Sequence, residues 1–221
     1  AGNTGAQMAA SMVLLRMHEG IKRPAIATIF PTAGQPVVVL DSGANVDCSP
    51  AELVQFARLG AVYAHDILGR ETPAVGLLNI GEEPEKGDAL SKEAHALLAQ
   101  SDLHFAGNVE GRDLPAGHNH QGPIDVVVCD GFVGNVLLKF YEGVAPLMIG
   151  LLVKAGMEQD RIMAALRQLD YSEHGGAPLL GVRGVSIICH GRSSPRALKN
   201  AIKVAVQAVE NRLDDHIGKR F

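Results

Sequence analysis

The sequence predicts an α/β fold, with a parallel or mixed sheet covered by helices. Three observations carry this. Short apolar, β-branched runs alternate with longer amphipathic stretches. The runs are apolar throughout, the pattern of strands buried on both faces. Nearly every run also ends in a small cluster of glycine and polar residues.

In chain order, a first helix is expected over Thr4 to His18, followed by strands in PAIATIF and PVVVLD. The next helix is placed over Pro50 to Leu68, because Ser49 ahead of Pro50 is an N-cap followed by a first-turn proline. AVGLLNIG supplies a strand, Pro84 to Ala99 a helix and LHFAGNV another strand. Leu114 to Pro123, with two prolines, two glycines and two histidines, is the most loop-like segment. DVVVCDG then reads as a strand, Gly134 to Lys154 and Gln159 to Leu169 as helices, and VSIICHG as the last strand. Ser194 and Pro195 repeat the cap-and-proline signature at the start of a final helix, Pro195 to Asp214. A single domain over residues 1–221 is expected, with no internal repeat and no low-complexity linker.

Composition narrows the function. The 221 residues are 47% hydrophobic and 20% charged, enough to bury a sizeable core. A net charge of -4 gives no global excess of positive charge, so no nucleic-acid partner is expected. Cys48, Cys129 and Cys189 are odd in number and widely spaced, which suits buried thiols in a reducing cytosol better than a disulfide frame or a zinc site. The chain opens on small and polar residues, not on a basic segment followed by an apolar one. The longest apolar run, Val144 to Val153, is shorter than the roughly 20 residues that cross a bilayer. Lying on a membrane is compatible with the sequence; spanning one is not expected.

The strand ends are the functional signal. They read Asp41-Ser42-Gly43-Ala44-Asn45, Asn79-Ile80-Gly81-Glu82-Glu83, Gly107-Asn108-Val109-Glu110-Gly111, Asp130-Gly131-Phe132-Val133-Gly134-Asn135 and His190-Gly191-Arg192-Ser193-Ser194. One such cluster is ordinarily a cap or a turn. Five at the carboxyl ends of strands, which face the ligand crevice of an open α/β sheet, point to one shared site.

The segments AGNTGA, RPAIA, LDSGANVDC, GLLNIGEEPEKG, FAGNVEGRD, DVVVCDGFVGNVLLK, HGGAPLLG and HGRSS follow one another in this order. Together, and over almost the whole chain, they resemble the phosphate acyltransferases of fatty acid and phospholipid synthesis, the PlsX family. The resemblance implies a three-layer Rossmann-like fold similar to isopropylmalate dehydrogenases and phosphotransacetylases. It also implies a homodimer, peripheral attachment to the cytoplasmic membrane, and no cofactor or metal. The implied reaction moves a long-chain acyl group from acyl carrier protein to inorganic phosphate. Three departures stand out: the family pattern begins about a hundred residues before the Gly-Asn-Thr-Gly motif, Gly117 to Ile124 is longer than the usual link, and Ser42 replaces an expected valine.

Phosphate is itself a competent nucleophile, so such an enzyme must hold the dianion, orient it and stabilise an oxyanion, with no serine or cysteine nucleophile. Gly2-Asn3-Thr4-Gly5, opening a helix, is a candidate phosphate cradle and equally an ordinary N-cap. Lys86, in a turn ending at Gly87, is by itself ordinarily a solvated lysine, and Asn135 equally an amide donor to the carbonyl oxygen or a cap of its helix; matching motif to motif assigns catalysis to this pair. Asn3, Thr4, Asp41, Asn45, Asn79, Glu82, Asn108, Glu110, Asp130, His190 and Ser193 are the candidate substrate-binding residues. His118 and His120 read as loop residues, since no further ligands are spaced to make a metal site.

Two apolar helices joined around Gly156, within residues 137–170, carry Leu147, Met148, Ile149, Leu151, Leu152, Val153, Met157, Ile162, Met163, Leu166 and Leu169, with Lys154, Arg161 and Arg167 nearby. Core or dimer packing accounts for such residues; a helical hairpin dipping into the bilayer interface is the use the resemblance favours. Acyl carrier protein is acidic, so its docking surface is sought among Arg16, Lys22, Arg23, Arg183, Arg192, Arg196, Lys199 and Lys203. The competing readings are a dehydrogenase of the isopropylmalate type, for which the glycine fingerprint is missing, a coenzyme A-dependent phosphotransacetylase, and a non-catalytic scaffold for carrier protein or membrane.

Overall fold

The computed structural model describes residues 3–165, 175–191 and 193–221. Helix α1 (Thr4–Leu14) is followed by β1 (Ala25–Ile26), β2 (Thr28–Phe30), β3 (Val37–Leu40), α2 (Pro50–Leu68), β4 (Val75–Asn79), α3 (Ala89–Ala99) and β5 (Phe105–Glu110). A short helix, α4 (Asp113–Ala116), and the strands β6 (His118–Asn119) and β7 (Gly122–Pro123) precede β8 (Val126–Val128), α5 (Gly131–Lys154) and α6 (Gln159–Ala165). Then come β9 (Ala177–Leu180), β10 (Ile187–Ile188), α7 (Pro195–Glu210) and α8 (Leu213–Arg220).

The central sheet has the order β2-β3-β8-β4-β5. Its last four strands run parallel and β2 is an antiparallel edge. Successive side chains of a strand point to opposite faces. Val38, Leu40, Val126 and Val128 therefore enter the core shared with Leu53, Phe56 and Leu59 of α2. Val37, Val39, Val127 and Cys129 enter the opposite layer, against Leu137, Leu138 and Tyr141 of α5. This is the three-layer arrangement that the family resemblance implies, and the helix-covered sheet that the strand pattern predicts. Each buried Leu or Val contributes about 1.5–3 kcal/mol. Helix α2 lies close on the sheet because of Gly60, where a Cβ would meet Val126 Cγ1 at 2.5 Å and Leu40 Cδ2 at 2.7 Å.

Helix α2 has the expected bounds. Ser49 caps it, Glu52 completes a capping box, and Gly69 ends it in the left-handed conformation (φ 69°). Ser194 likewise caps α7, ahead of Pro195.

Elsewhere the structure corrects the expected boundaries. PAIATIF is two strands: β1 joins a second, antiparallel sheet in the order β1-β9-β10, and β2 joins the central one. The first helix stops at Leu14, because Arg16 takes φ 65°. Helix α3 starts at Ala89 rather than Pro84, since Asp88 accepts the Ser91 N–H and so caps it. The final helix breaks at Arg212 (φ 54°), and α8 turns back onto α2. The loop expected over Leu114 to Pro123 contains α4 and the β6–β7 pair, tied down by buried Asn119, whose amide donates to the Ala106 and Asn108 carbonyls. Gly2, Arg192 and the stretch 166–169 of the expected sixth helix, with Leu166, Arg167 and Leu169, lie outside the described residues.

Helix α5 differs most from its reading. It has 24 residues, and an 18-residue stretch of it has mean hydropathy 1.8, so it is long and apolar enough to cross a membrane by length and composition, although its longest unbroken apolar run is short. Its first turn is nevertheless built into the domain, where Gly131 and Gly134 are buried. The helix stays on the sheet through Leu137, Leu138 and Tyr141; beyond them Leu147 and Leu151 are exposed, and the chain bends at Gly156 (φ 83°) and continues as α6. The expected pair of helices is therefore present as far as residue 165.

Candidate functional site

Four loops meet at the carboxyl ends of the central strands, and the loop after β3 organises them. Asp41 is fully buried. Its carboxylate accepts N–H groups from Ile26 (3.0 Å), Ala44 (3.1 Å) and Asn45 (2.6 Å), and the Asn45 side-chain amide (2.9 Å). Burial pushes its carboxyl above the usual range, against the hydrogen bonds from Ile26, Ala44 and Asn45, which lower it. The bond to Ile26 ties this loop to β1 of the second sheet, as does the Ser42 N–H donated to the Ile26 carbonyl at 3.0 Å. Asn45 also donates to the Pro24 carbonyl at 2.8 Å, and its own carbonyl accepts the Gly131 N–H at 2.7 Å. Asp41 and Asn45 thus bind the protein's own backbone beneath the site.

Above this loop, a cavity of about 670 Å³ opens between the two sheets. Ile26 to Ile29, Ser42 and Gly43 form its floor, one face of α5 forms a wall, and Ala177, Pro178 and Ile188 close the other side. Thr4, the first residue of α1, and Ala197, in the first turn of α7, also line it, as do His190 and Ser193. Two helix N-termini, each carrying partial positive charge, therefore border the cavity. Asn3 lies at the entrance of α1 as its N-cap, accepting the Ala6 N–H at 2.9 Å.

Asn135 lies on the α5 wall. Asp130 caps that helix, accepting the Val133 N–H at 2.8 Å, so Asn135, a turn further in, is not needed as a cap. Its exposed amide has no hydrogen-bond partner among the described residues. Gly43 (φ 124°) packs against it: a Cβ at that position would lie 3.4 Å from Asn135 Cβ.

Lys86 lies in a second neighbourhood, beyond β4 and β5. Asn79 donates to the Lys86 carbonyl at 3.1 Å, and the fully buried Asn108 donates to the Glu83 carbonyl at 2.8 Å. Glu82 faces Arg112 and His120 at 3.5 and 3.4 Å, and Glu110 also pairs with Arg112. Asn79 and Asn108 thus brace the turn that presents Lys86, while the Lys86 side chain is exposed and unpaired among the described residues.

The structure therefore gathers Thr4, Asn135, His190 and Ser193 around one cavity, places Asp41 and Asn45 beneath it, and sets Asn79, Glu82, Lys86, Asn108 and Glu110 around a neighbouring turn. Thr28, Lys139 and Glu142, also on the cavity wall, were not singled out from the sequence. Lys139 was legible: it follows Asn135 by four residues, one helical turn on the same face. Among the described residues, no group of three His, Cys, Asp or Glu could hold a metal ion.

Comparison with known proteins agrees with this architecture. The phosphate acyltransferase of Desulforamulus reducens is 51% identical over 223 residues, covering 96% of this chain and 66% of that protein. That of Syntrophotalea carbinolica is 48% identical over 230 residues, covering 98% and 64%. The chain thus spans slightly less than two thirds of these relatives. Among solved structures, a phosphotransacetylase from Streptococcus pyogenes superposes with a TM-score of 0.62 at 17% identity, over 94% of this chain and 60% of that one. A branched-chain phosphotransacylase from Enterococcus faecalis gives 0.57 at 18%, over 87% and 65%. At these identities the likeness is one of fold. The model of the family described as fatty acid synthesis protein matches residues 1–215, and the chain belongs to that family.

Proposed function

We propose that this chain carries the acyl-transfer site of a phosphate acyltransferase that takes a long-chain acyl group from the thioester of acyl carrier protein. The observation that carries the reading is the cavity between the sheets, where the uncommitted Asn135 amide stands across from the N-termini of α1 and α7. A phosphate dianion suits those N-termini. Its oxygen attacks the thioester carbonyl, the new C–O bond creates a tetrahedral oxyanion, and collapse expels the thiolate with the C–S electron pair. Asn135 donates to the oxyanion, and Lys86, on the neighbouring turn, is the candidate cation for the developing charge.

The exposed apolar side chains of α5, with Lys154 at its end, suit a surface that rests on a cytoplasmic membrane, with the domain remaining outside the bilayer. A peripheral homodimer is the assembly we propose. Liposome flotation of the full-length protein tests the membrane contact: binding should fall when Leu151, Val153 and Met157 are made polar, and undiminished binding removes that role.

Mass spectrometry of long-chain acyl carrier protein incubated with phosphate and the full-length protein tests the reaction. Phosphate-dependent acyl phosphate together with free carrier protein is the expected result. Turnover with acyl coenzyme A alone would point to a phosphotransacetylase, and carrier binding without product to a scaffold.

A further inference from the structure

We infer that Lys139 is the cation that binds the phosphate in the cavity between the sheets, and that Glu142 is the carboxylate that competes with phosphate for it. The inference rests on the phosphate-using reading above and adds a residue to it.

Asn135, Leu138, Lys139 and Glu142 are spaced i, i+3, i+4 and i+7 on α5, which puts them on one helical face, and all four line the cavity. Lys139 is the one Lys or Arg among the described residues on its wall, whereas Lys86 is not among the lining residues. A phosphate dianion that gives up part of its hydration to enter this cavity is held better by a full positive charge than by helix dipoles alone. Lys139 is placed to supply it, one turn from the amide that would receive the oxyanion.

Its present partner is weakly held. Lys139 Nζ lies 2.9 Å from Glu142 Oε2, with side chains 52% and 30% exposed. An exposed pair of this kind adds little to stability, so the ammonium can exchange one oxygen ligand for another at small cost. Lysine suits such an exchange, being a point charge on a flexible stem. Glu142 supplies selectivity: its negative charge disfavours any anion that cannot displace it from Lys139.

The test is inorganic phosphate titrated into the full-length enzyme by calorimetry, alongside steady-state KM values for phosphate and for the acyl donor. Lys139→Gln should weaken phosphate binding and raise the phosphate KM by about tenfold or more, leaving the acyl-donor KM and the melting temperature unchanged. Lys139→Arg should recover most of the affinity, and Glu142→Gln should tighten phosphate binding. Wild-type phosphate affinity in Lys139→Gln, with the wild-type enzyme turning over, overturns the role of Lys139 and leaves the acyl-transfer reading intact. A wild-type enzyme that neither binds phosphate nor forms acyl phosphate overturns both. Should Lys139→Gln not fold, unchanged phosphate affinity in Glu142→Gln overturns the inference by itself.

Discussion

The backbone of Gly134 rests directly on the carbonyl of Asp41, with no room for a side chain between them. One turn earlier, a Cβ on Gly131 would lie 2.5 Å from the Asn45 carbonyl oxygen and 2.8 Å from Asp41 Oδ2. The start of α5 is thus clamped to the loop after β3 at two points. That loop is held in turn by the Asp41 carboxylate, and Asn135 takes its position from the clamp.

Gly134→Ala should therefore overpack this contact and destabilise the fold by about 1–3 kcal/mol, read as a lower urea midpoint. Gly150, on the same helix, has nothing within 4 Å of its added Cβ. Gly150→Ala should gain about 0.5–1 kcal/mol from helix propensity. Equal effects at the two positions would mean that α5 is not clamped to the loop.

Asn135→Ala removes an exposed amide that the fold does not use. It should lower kcat by about 100-fold to 1,000-fold if that amide serves the oxyanion, with the melting temperature unchanged. Lys86→Ala, also at an exposed side chain, should lose activity while its turn stays closed by Asn79 and Asn108. Full activity in either full-length variant removes that residue from the mechanism.

What the sequence disclosed follows from how local each signal is. Ser49-Pro50 and Ser194-Pro195 marked their helix starts because a cap and a first-turn proline act within one turn. PVVVLD and DVVVCDG were legible as strands buried on both faces because valine runs have few other uses. β9 passed unread inside HGGAPLLG, whose strand character comes from pairing with β1 and β10, far away in sequence. The strand-end clusters located the site, yet no local pattern separates a carboxylate facing ligand from one consumed internally. Asp41 and Asn108 turn inward to meet groups distant in sequence, the Ile26 N–H and the Glu83 carbonyl.

Asp88 offers a check on the Lys86 turn. It caps α3, and hydrogen bonding from the Ser91 backbone, aided by the Ser91 side chain, holds its carboxyl below the usual 3.8. A depressed folded-state pKa means that the charged cap stabilises above the unfolded value and loses that contribution as pH falls through the folded one. Asp88→Ala should therefore cost about 1 kcal/mol at neutral pH. In urea titrations the gap to wild type should close below about pH 4. A gap independent of pH would mean that the charge of the cap contributes nothing.

The cysteines test whether the loop clamp is closed in solution. Burial raises the Cys48 thiol to about 12, against a hydrogen bond from the Gly131 backbone and with the help of Asp41, Asp130 and Glu52. Cys129 lies beneath the Asp41 carbonyl, and burial, followed by Asp130 and Asp41, pushes it well above 9. The thiolate is the reactive form, and at pH 8 it is roughly one part in ten thousand for a thiol as weak as Cys48. Iodoacetamide applied to the native protein at pH 8 should thus leave Cys48 and Cys129 unmodified in peptide mass spectra, and both should react once urea unfolds the chain. Rapid native labelling of Cys129 would mean that the Asp41 loop and the start of α5 separate readily, and the placement of Asn135 would fail with it.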